Sequence, residues 1–463
     1  MPVALKAASP ARRRPVRRPL AQAGGVRPRK RGRLYAGEPE NCRRRPREFA
    51  AILGGLVLLL AVLDAYRVET RDFRMVVLLA TVALPVHYLA PFRWKKPLFV
   101  AISIVGLLLT LGPWISASVL GIAAVLLTIT AAPIPWVARA GLIATIAAGL
   151  AAMRPGPVVA GDPEIPGAIP VVASLFMFRM VIYLYELKHA RGREPIVDAA
   201  SYFLLLPNFV FPHFPVVDYR TFQRGYFARG IHEIQRTGLA MMARGAVHLL
   251  GYRVIDRLLL ITPDAVDGPA ALAGFIVCNY LLYLRVSGQF HIACGMLHLF
   301  GFQLPETHHR YLLASSFTDY WRRINIYWKD FMIRIVFNPV VFRLKRWPQP
   351  YALAAATAAV FLATWFLHAY QSFWLRGVWG FGVPDAMFWS ILGVLVLVNV
   401  QLDARRPPAR RSRDNATSPS AWMGVLGSLR VAATFTTIAV LWSLWSSPSL
   451  ESWLGLLRRG LQL

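Results

Sequence analysis

Apolar residues in this chain come in long blocks rather than in alternation. Windows dominated by Leu, Val, Ala, Ile and Phe run from Phe49 to Leu63, Val76 to Leu89, Leu98 to Leu111, Ile115 to Ala132 and Ile134 to Ala152. Others follow from Ile169 to Leu187, Ala270 to Leu284, Tyr351 to His368, Met387 to Leu402 and Trp422 to Trp445. A helix needs about 20 mostly apolar residues to cross a bilayer, and it satisfies its backbone polar groups internally. The blocks therefore predict an all-α polytopic integral membrane protein with roughly ten transmembrane helices.

The texture changes along the chain. Up to Gly149 the blocks are nearly uncharged, which suits a lipid-facing wall. From Pro195 to Trp379 they shorten, and His, Arg, Asp and Trp are threaded through them. Polar or irregular backbone at membrane depth must be buried in protein or line a wet cavity, so interfacial and re-entrant helices around a central cavity are expected here. Pro207, Pro212 and Pro215 interrupt the apolar run from Tyr202 to Phe222, which predicts a broken or re-entrant piece. The following FARGIHEIQRTGLAMMARGAVHLL alternates polar and apolar residues at helical spacing, as an interfacial helix would.

Residues 316–331, SFTDYWRRINIYWKDF, are the most mixed stretch. On one continuous helix Phe317, Tyr320, Trp321, Ile324, Trp328 and Phe331 would share a face, while Asp319, Arg322, Arg323 and Asp330 would share the other. Asn325 would sit at the border, one turn from Trp321 and Lys329. This predicts a helix at the membrane surface, aromatic on one side and charged on the other. His368 ends the apolar run AAVFLATWFL. An ionisable side chain at membrane depth is costly and is a candidate functional group.

Composition agrees with the pattern. The 463 residues are 56% hydrophobic and 16% charged, with a mean hydropathy of +0.45, too much apolar surface for water alone. Residues 1–48 supply much of the net charge of +29, and there ARRRPVRRPL, RPRKRGR and NCRRRPRE predict a disordered basic tail. By the positive-inside rule the N-terminus faces the cytoplasm, as does the basic loop from Asp403 to Arg413. The tail's length and the lack of a small-residue cleavage site argue against a cleaved signal peptide. Charge in the tail is read as setting topology rather than binding nucleic acid. The expected organisation is thus a tail (1–48), N-terminal transmembrane helices (49–194), a polar core (195–402), a basic loop (403–420) and a C-terminal helix with its tail (421–463).

Cys42, Cys278 and Cys294 are too few and scattered for a disulfide framework or a zinc site. His291 and His298 lack a nearby carboxylate in sequence, so no metal site is expected. The chain has no Gly-rich phosphate loop, no GxSxG elbow, no HExxH and no fixed-period repeat.

YLRVSGQFHIACGMLHLFGFQLPE (Tyr283–Glu306), followed by RYLLASSFTDYWRRINIYWKDFMIRIVFNPV, resembles the core of the membrane-bound O-acyltransferase (MBOAT) family. The nearest branch is the bacterial one that acylates alginate and teichoic acid. Ser287, Gly288 and Gly295 match its serine and glycine pattern, and Gly301 and Phe302 its G-F pair. Asp319, Trp321, Arg322 and Arg323 match its acidic-W-R-R helix, and His368 its catalytic histidine. PNFVFPHFPVVDYRTF is similar to the family's proline-containing segment, so the likeness runs from Tyr202 to Asn399. Three positions depart from the branch: Asn325 stands where it has histidine, as in other branches, His291 where it has aspartate, and LHAYQ lacks the flanking Trp and Gly.

The resemblance implies an enzyme that moves an acyl group from a thioester to a hydroxyl. In that reading His368 is the general base and Asn325 orients the acceptor or stabilises charge on the carbonyl oxygen. Trp321, Arg322, Arg323, Asp319, Ser287 and His291 would contact substrate, the arginines and Lys329 drawing in the donor's phosphates. The donor is acyl-CoA or an acyl carrier thioester, with no tightly bound cofactor. Implied partners are membrane lipid, a hydroxyl acceptor in a cell-envelope glycan, lipid or polymer, and a carrier or periplasmic transferase, with no nucleic acid. The location implied is a cell (inner) membrane. The rival is a non-enzymatic polytopic protein, a transporter or a scaffold that has lost its chemistry.

Overall fold

The computed structural model describes residues 40–154, 168–189, 194–211, 217–405 and 421–462; most of the basic tail, most of the basic loop, and both Pro212 and Pro215 lie outside them. Within the described residues the chain is helical and has no strand, only an isolated bridge between Tyr226 and Phe302.

The first helices are α1 (Pro46–Ala65), α2 (Arg71–Leu89), α3 (Phe92–Ala131) and α4 (Trp136–Ala152). The tail ends earlier than expected: Glu40–Cys42 form a turn, and Cys42 is buried against Phe227 and Ile231. Helix α3 joins two expected windows across a kink at Gly112, whose φ of 73° is accessible to glycine at little cost. Next come α5 (Ala168–Ser174), a π-helical turn (Leu175–Arg179) and α6 (Met180–Lys188), so the expected span from Ile169 is interrupted. The proline-containing run is broken as expected, into α7 (Ile196–Phe203), a 3-10 turn at Leu206–Phe209 and α8 (Tyr219–Gly225). Its described pieces are too short for a membrane-length re-entrant helix.

Helices α9 (Ile231–Val254), α10 (Pro269–Leu281) and α11 (Leu284–Leu299) follow. Then come α12 (Phe317–Arg323), α13 (Ile326–Met332), α14 (Asn338–Arg343), α15 (Gln349–Arg376), α16 (Val383–Arg405), α17 (Ala421–Trp445) and α18 (Leu450–Leu461). Seven helical stretches among the described residues, not ten, are long and apolar enough to cross a membrane, with α10 and α11 forming one of them. Helix α4 is shorter. Large apolar side chains point outward from these helices, Leu58 at 67% exposure and Val82 at 64% among them. Such outward apolar side chains on long apolar helices are what helices that cross a membrane present to lipid.

Three packed regions are the largest among the described residues. The largest joins α1, α2, α3, α7, α9 and α11. Within it α9 and α11 run antiparallel at backbone contact. A Cβ built on Gly238 would lie 2.7 Å from the Gly295 carbonyl oxygen, and one on Gly245 would lie 2.7 Å from that of Gly288. The reciprocal positions are equally closed, at 2.5 Å for Gly295 against Gly238 and 2.9 Å for Gly288 against Gly245. Small residues let helix backbones approach to where dispersion and weak C–H···O contacts operate. The second region is aromatic, with Tyr280, Tyr320, Phe361, Phe388 and Trp389 brought together from α10, α12, α15 and α16. The third packs Trp328, Phe331 and Met332 of α13 against Phe178 and Trp374.

Candidate active site

The expected continuous helix over residues 316–331 is broken at its centre. Helix α12 is capped by Ser316, whose hydroxyl accepts the Asp319 N–H at 3.1 Å, and its first N–H, at Phe317, donates to Asn399 Oδ1 of α16 at 2.9 Å. It ends at Arg323. Asn325 then adopts the left-handed conformation, φ 40° and ψ 67°, and its Oδ1 accepts the Trp328 N–H at 3.2 Å to cap α13. Asparagine suits both duties, since its short amide tolerates left-handed backbone and caps helices well. The preceding loop secures the break: Ile326 N–H donates to the Thr307 carbonyl at 2.8 Å, and His309 N–H to the Arg323 carbonyl at 3.0 Å.

The break turns the aromatic stripe into a cavity wall. A cavity of about 90 Å³ is lined by Trp321, Ile324, Asn325, Trp328 and Lys329 on one side and His368 of α15 on another. Phe388, Trp389 and Leu392 of α16, Trp442 and Trp445 of α17, and Tyr283 and Tyr320 complete it. The fold thus brings Asn325, Trp321 and His368 to one space from distant parts of the sequence.

His368 is half-buried. Its Nδ1–H donates to the Thr364 carbonyl oxygen at 2.9 Å. A carbonyl can only accept, so this bond fixes the tautomer and leaves the lone pair on Nε2. The ring lies 4.6 Å from Trp389, 5.2 Å from Trp328 and 6.1 Å from Trp445, centroid to centroid. Lys329 is held by Asp330 at 2.8 Å.

The other residues expected at the site stand outside this lining. Asp319 Oδ1 accepts from Arg323 Nε at 2.7 Å, and its Oδ2 accepts the Ser315 N–H at 3.1 Å, so both side chains steady α12. Arg322 is exposed. Ser287 and His291 are buried on α11, where Ser287 Oγ meets His248 Nδ1 at 3.1 Å and His291 Nδ1 donates to the Ser287 carbonyl at 2.7 Å. Their neighbourhood reaches the cavity through Tyr283, whose hydroxyl bonds His308 Nε2 at 2.9 Å. Burial, then the nearby rings of His291 and His248, hold His308 well below the ordinary histidine range. No group of three or more His, Cys, Asp or Glu side chains among the described residues is arranged to hold a metal ion.

Sequence reasoning missed the far wall, Phe388, Trp389, Leu392, Trp442 and Trp445. Their signal was present: Trp442 and Trp445 sit three residues apart and share a helix face, as do Trp389 and Leu392. A second cavity, about 300 Å³, is lined by Glu186, Asp218, Arg220, Arg224 and Arg334. Both of its carboxylates share one guanidinium, Arg334, which lies 2.5 Å from Glu186 and 3.2 Å from Asp218. Burial would raise the Asp218 carboxyl, but the Thr221 N–H and hydroxyl together with Arg334 hold it below its usual range.

Compared with known protein families and with curated proteins, the chain matches none.

Proposed function

We propose that this protein is a membrane O-acyltransferase of the MBOAT type, moving a short acyl group from a thioester to a hydroxyl acceptor. One observation carries the reading: Asn325 and His368, the two residues the resemblance makes catalytic, line the same cavity. Nε2 of His368 takes the acceptor's proton as the hydroxyl oxygen attacks the thioester carbonyl. The Asn325 amide nitrogen, left free by the capping role of Oδ1, donates to the developing oxyanion. The carbon–sulfur bond breaks, and the imidazolium returns its proton to the departing thiolate. The acceptor class is a hydroxyl of a cell-envelope glycan, lipid or polymer, and the donor is acyl-CoA or an acyl carrier, starting with acetyl.

The scaffold reading draws on one observation. The capping of α13 already accounts for Asn325 without chemistry. Transfer of label from acetyl-CoA to an envelope fraction by the purified protein, with His368→Ala and Asn325→Ala at equal folded amounts, separates the two. Transfer by wild type that collapses in His368→Ala supports the enzyme. Equal labelling by wild type and His368→Ala removes His368 as the base, and no transfer from acetyl or longer donors favours the scaffold.

A further inference from the structure

A base that takes a proton becomes a cation, and something must stabilise it. In the Ser-His-Asp arrangement that group is a carboxylate bonded to the imidazole. Here, among the described residues, Nδ1 of His368 meets only the neutral Thr364 carbonyl, and no carboxylate bonds the ring. What surrounds it is indole, from Trp389, Trp328 and Trp445 at 4.6, 5.2 and 6.1 Å. Trp445 is itself tied to a charge: its Nε1–H donates to Asp385 Oδ1 at 2.7 Å. A charge-assisted bond of that kind pushes electron density into the ring. Phe388 stacks on the same indole at 4.7 Å and keeps it in place.

We propose that this indole box stabilises the imidazolium of His368 by cation–π attraction, with Asp385 acting through Trp445 as a positioning residue. The inference rests on the acyl-transfer reading for its catalytic meaning. The proton arrives on Nε2 from the acceptor hydroxyl as the carbon–oxygen bond forms. It leaves to the thiolate once the carbon–sulfur pair has departed, so the box carries the positive charge only between those events. Other charged or titratable groups lining the same cavity are Lys329 of α13, Tyr320 of α12 and Tyr283 between α10 and α11. Lys329 is paired with Asp330, and none of the three supplies a negative charge.

The test uses the full-length protein. Asp385→Asn keeps an oxygen that accepts the Trp445 N–H and removes only the charge. It should lower kcat about threefold with unchanged KM and thermal midpoint. Site-specific mono-, di- and trifluorotryptophan at position 389 preserves shape while draining the ring's electron density. Here kcat should fall stepwise, by about tenfold overall. Wild-type kcat in both series would overturn the proposal, as would a loss confined to KM. Carbethoxylation of His368 by diethyl pyrocarbonate, followed against pH, needs no acyl transfer. A shift of its half-reaction point toward acid in Asp385→Asn upholds the box even if the wild type transfers nothing. An unshifted curve rejects it, whatever the fate of the acyltransferase reading.

Discussion

The region around α9 and α11 and the region around α12, α13, α15, α16 and α17 use opposite materials for opposite ends. The first brings helices together by removing side chains, with Gly238, Gly245, Gly288 and Gly295 facing one another at backbone contact. The second keeps helices apart with the largest side chains available, and the space between the indoles is the cavity. Glycine contacts leave no room to adjust, whereas rings packed edge to face leave gaps that a small group can enter. Close backbone packing and the cavity thereby fall in different regions of the fold.

The comparison breaks most severely at the glycines. Gly295→Val puts branched carbon into the Gly238 carbonyl, so about 3 kcal/mol or more of stability should be lost. Fluorescence-detected size exclusion after heating would show it, and a wild-type profile would mean that the two helices separate easily. The aromatic half should respond in the reverse sense. His368→Ala should leave the melting profile close to wild type while slowing transfer about 10²- to 10⁴-fold. Asn325 separates backbone from chemistry. Asn325→Asp keeps a capping oxygen and a residue tolerant of left-handed backbone, so stability should hold, while loss of the amide donor should cost about 10²- to 10³-fold in kcat. Equal rates for wild type and Asn325→Asp would confine the residue to capping. The smallest effect is expected for Asn399→Ala, which deprives Phe317 N–H of its acceptor at the start of α12. About 1 kcal/mol of stability should be lost, measurable by thermal denaturation in detergent.

The helical membrane class was legible in the sequence because long apolar blocks leave few alternatives to a helix in lipid. The number of spans was not. Gly112, with non-helical backbone at φ 73°, separates two helical segments of α3 that follow each other without a loop, and the π-helical turn at Leu175–Arg179 divides another window, both being local backbone choices that hydropathy does not record. Periodicity likewise favoured one helix over 316–331, since Phe317 to Phe331 fits a single stripe. The capping ability and left-handed tolerance of Asn325 outweighed it. That His368 stands out was readable from polarity in an apolar context, whereas Asn325, in a charged stretch, was singled out only by the resemblance. Their shared cavity depends on helix packing, which only the structure supplies. Where Arg322 and Arg323 point was not legible, because charge in a sequence has no direction; the fold leaves Arg322 exposed and bonds Arg323 to Asp319.

The break at Asn325 also bears on how such a protein could change over time. One residue sets the direction of two helices and lines the cavity, so altering it re-aims everything that α12 and α13 carry. Leu392 and Trp442 on the opposite wall lie within uninterrupted helices and have no such duty. Substitution there changes the shape of the cavity while the frame set at Asn325 stays in place, so the far wall is where the cavity is freest to vary.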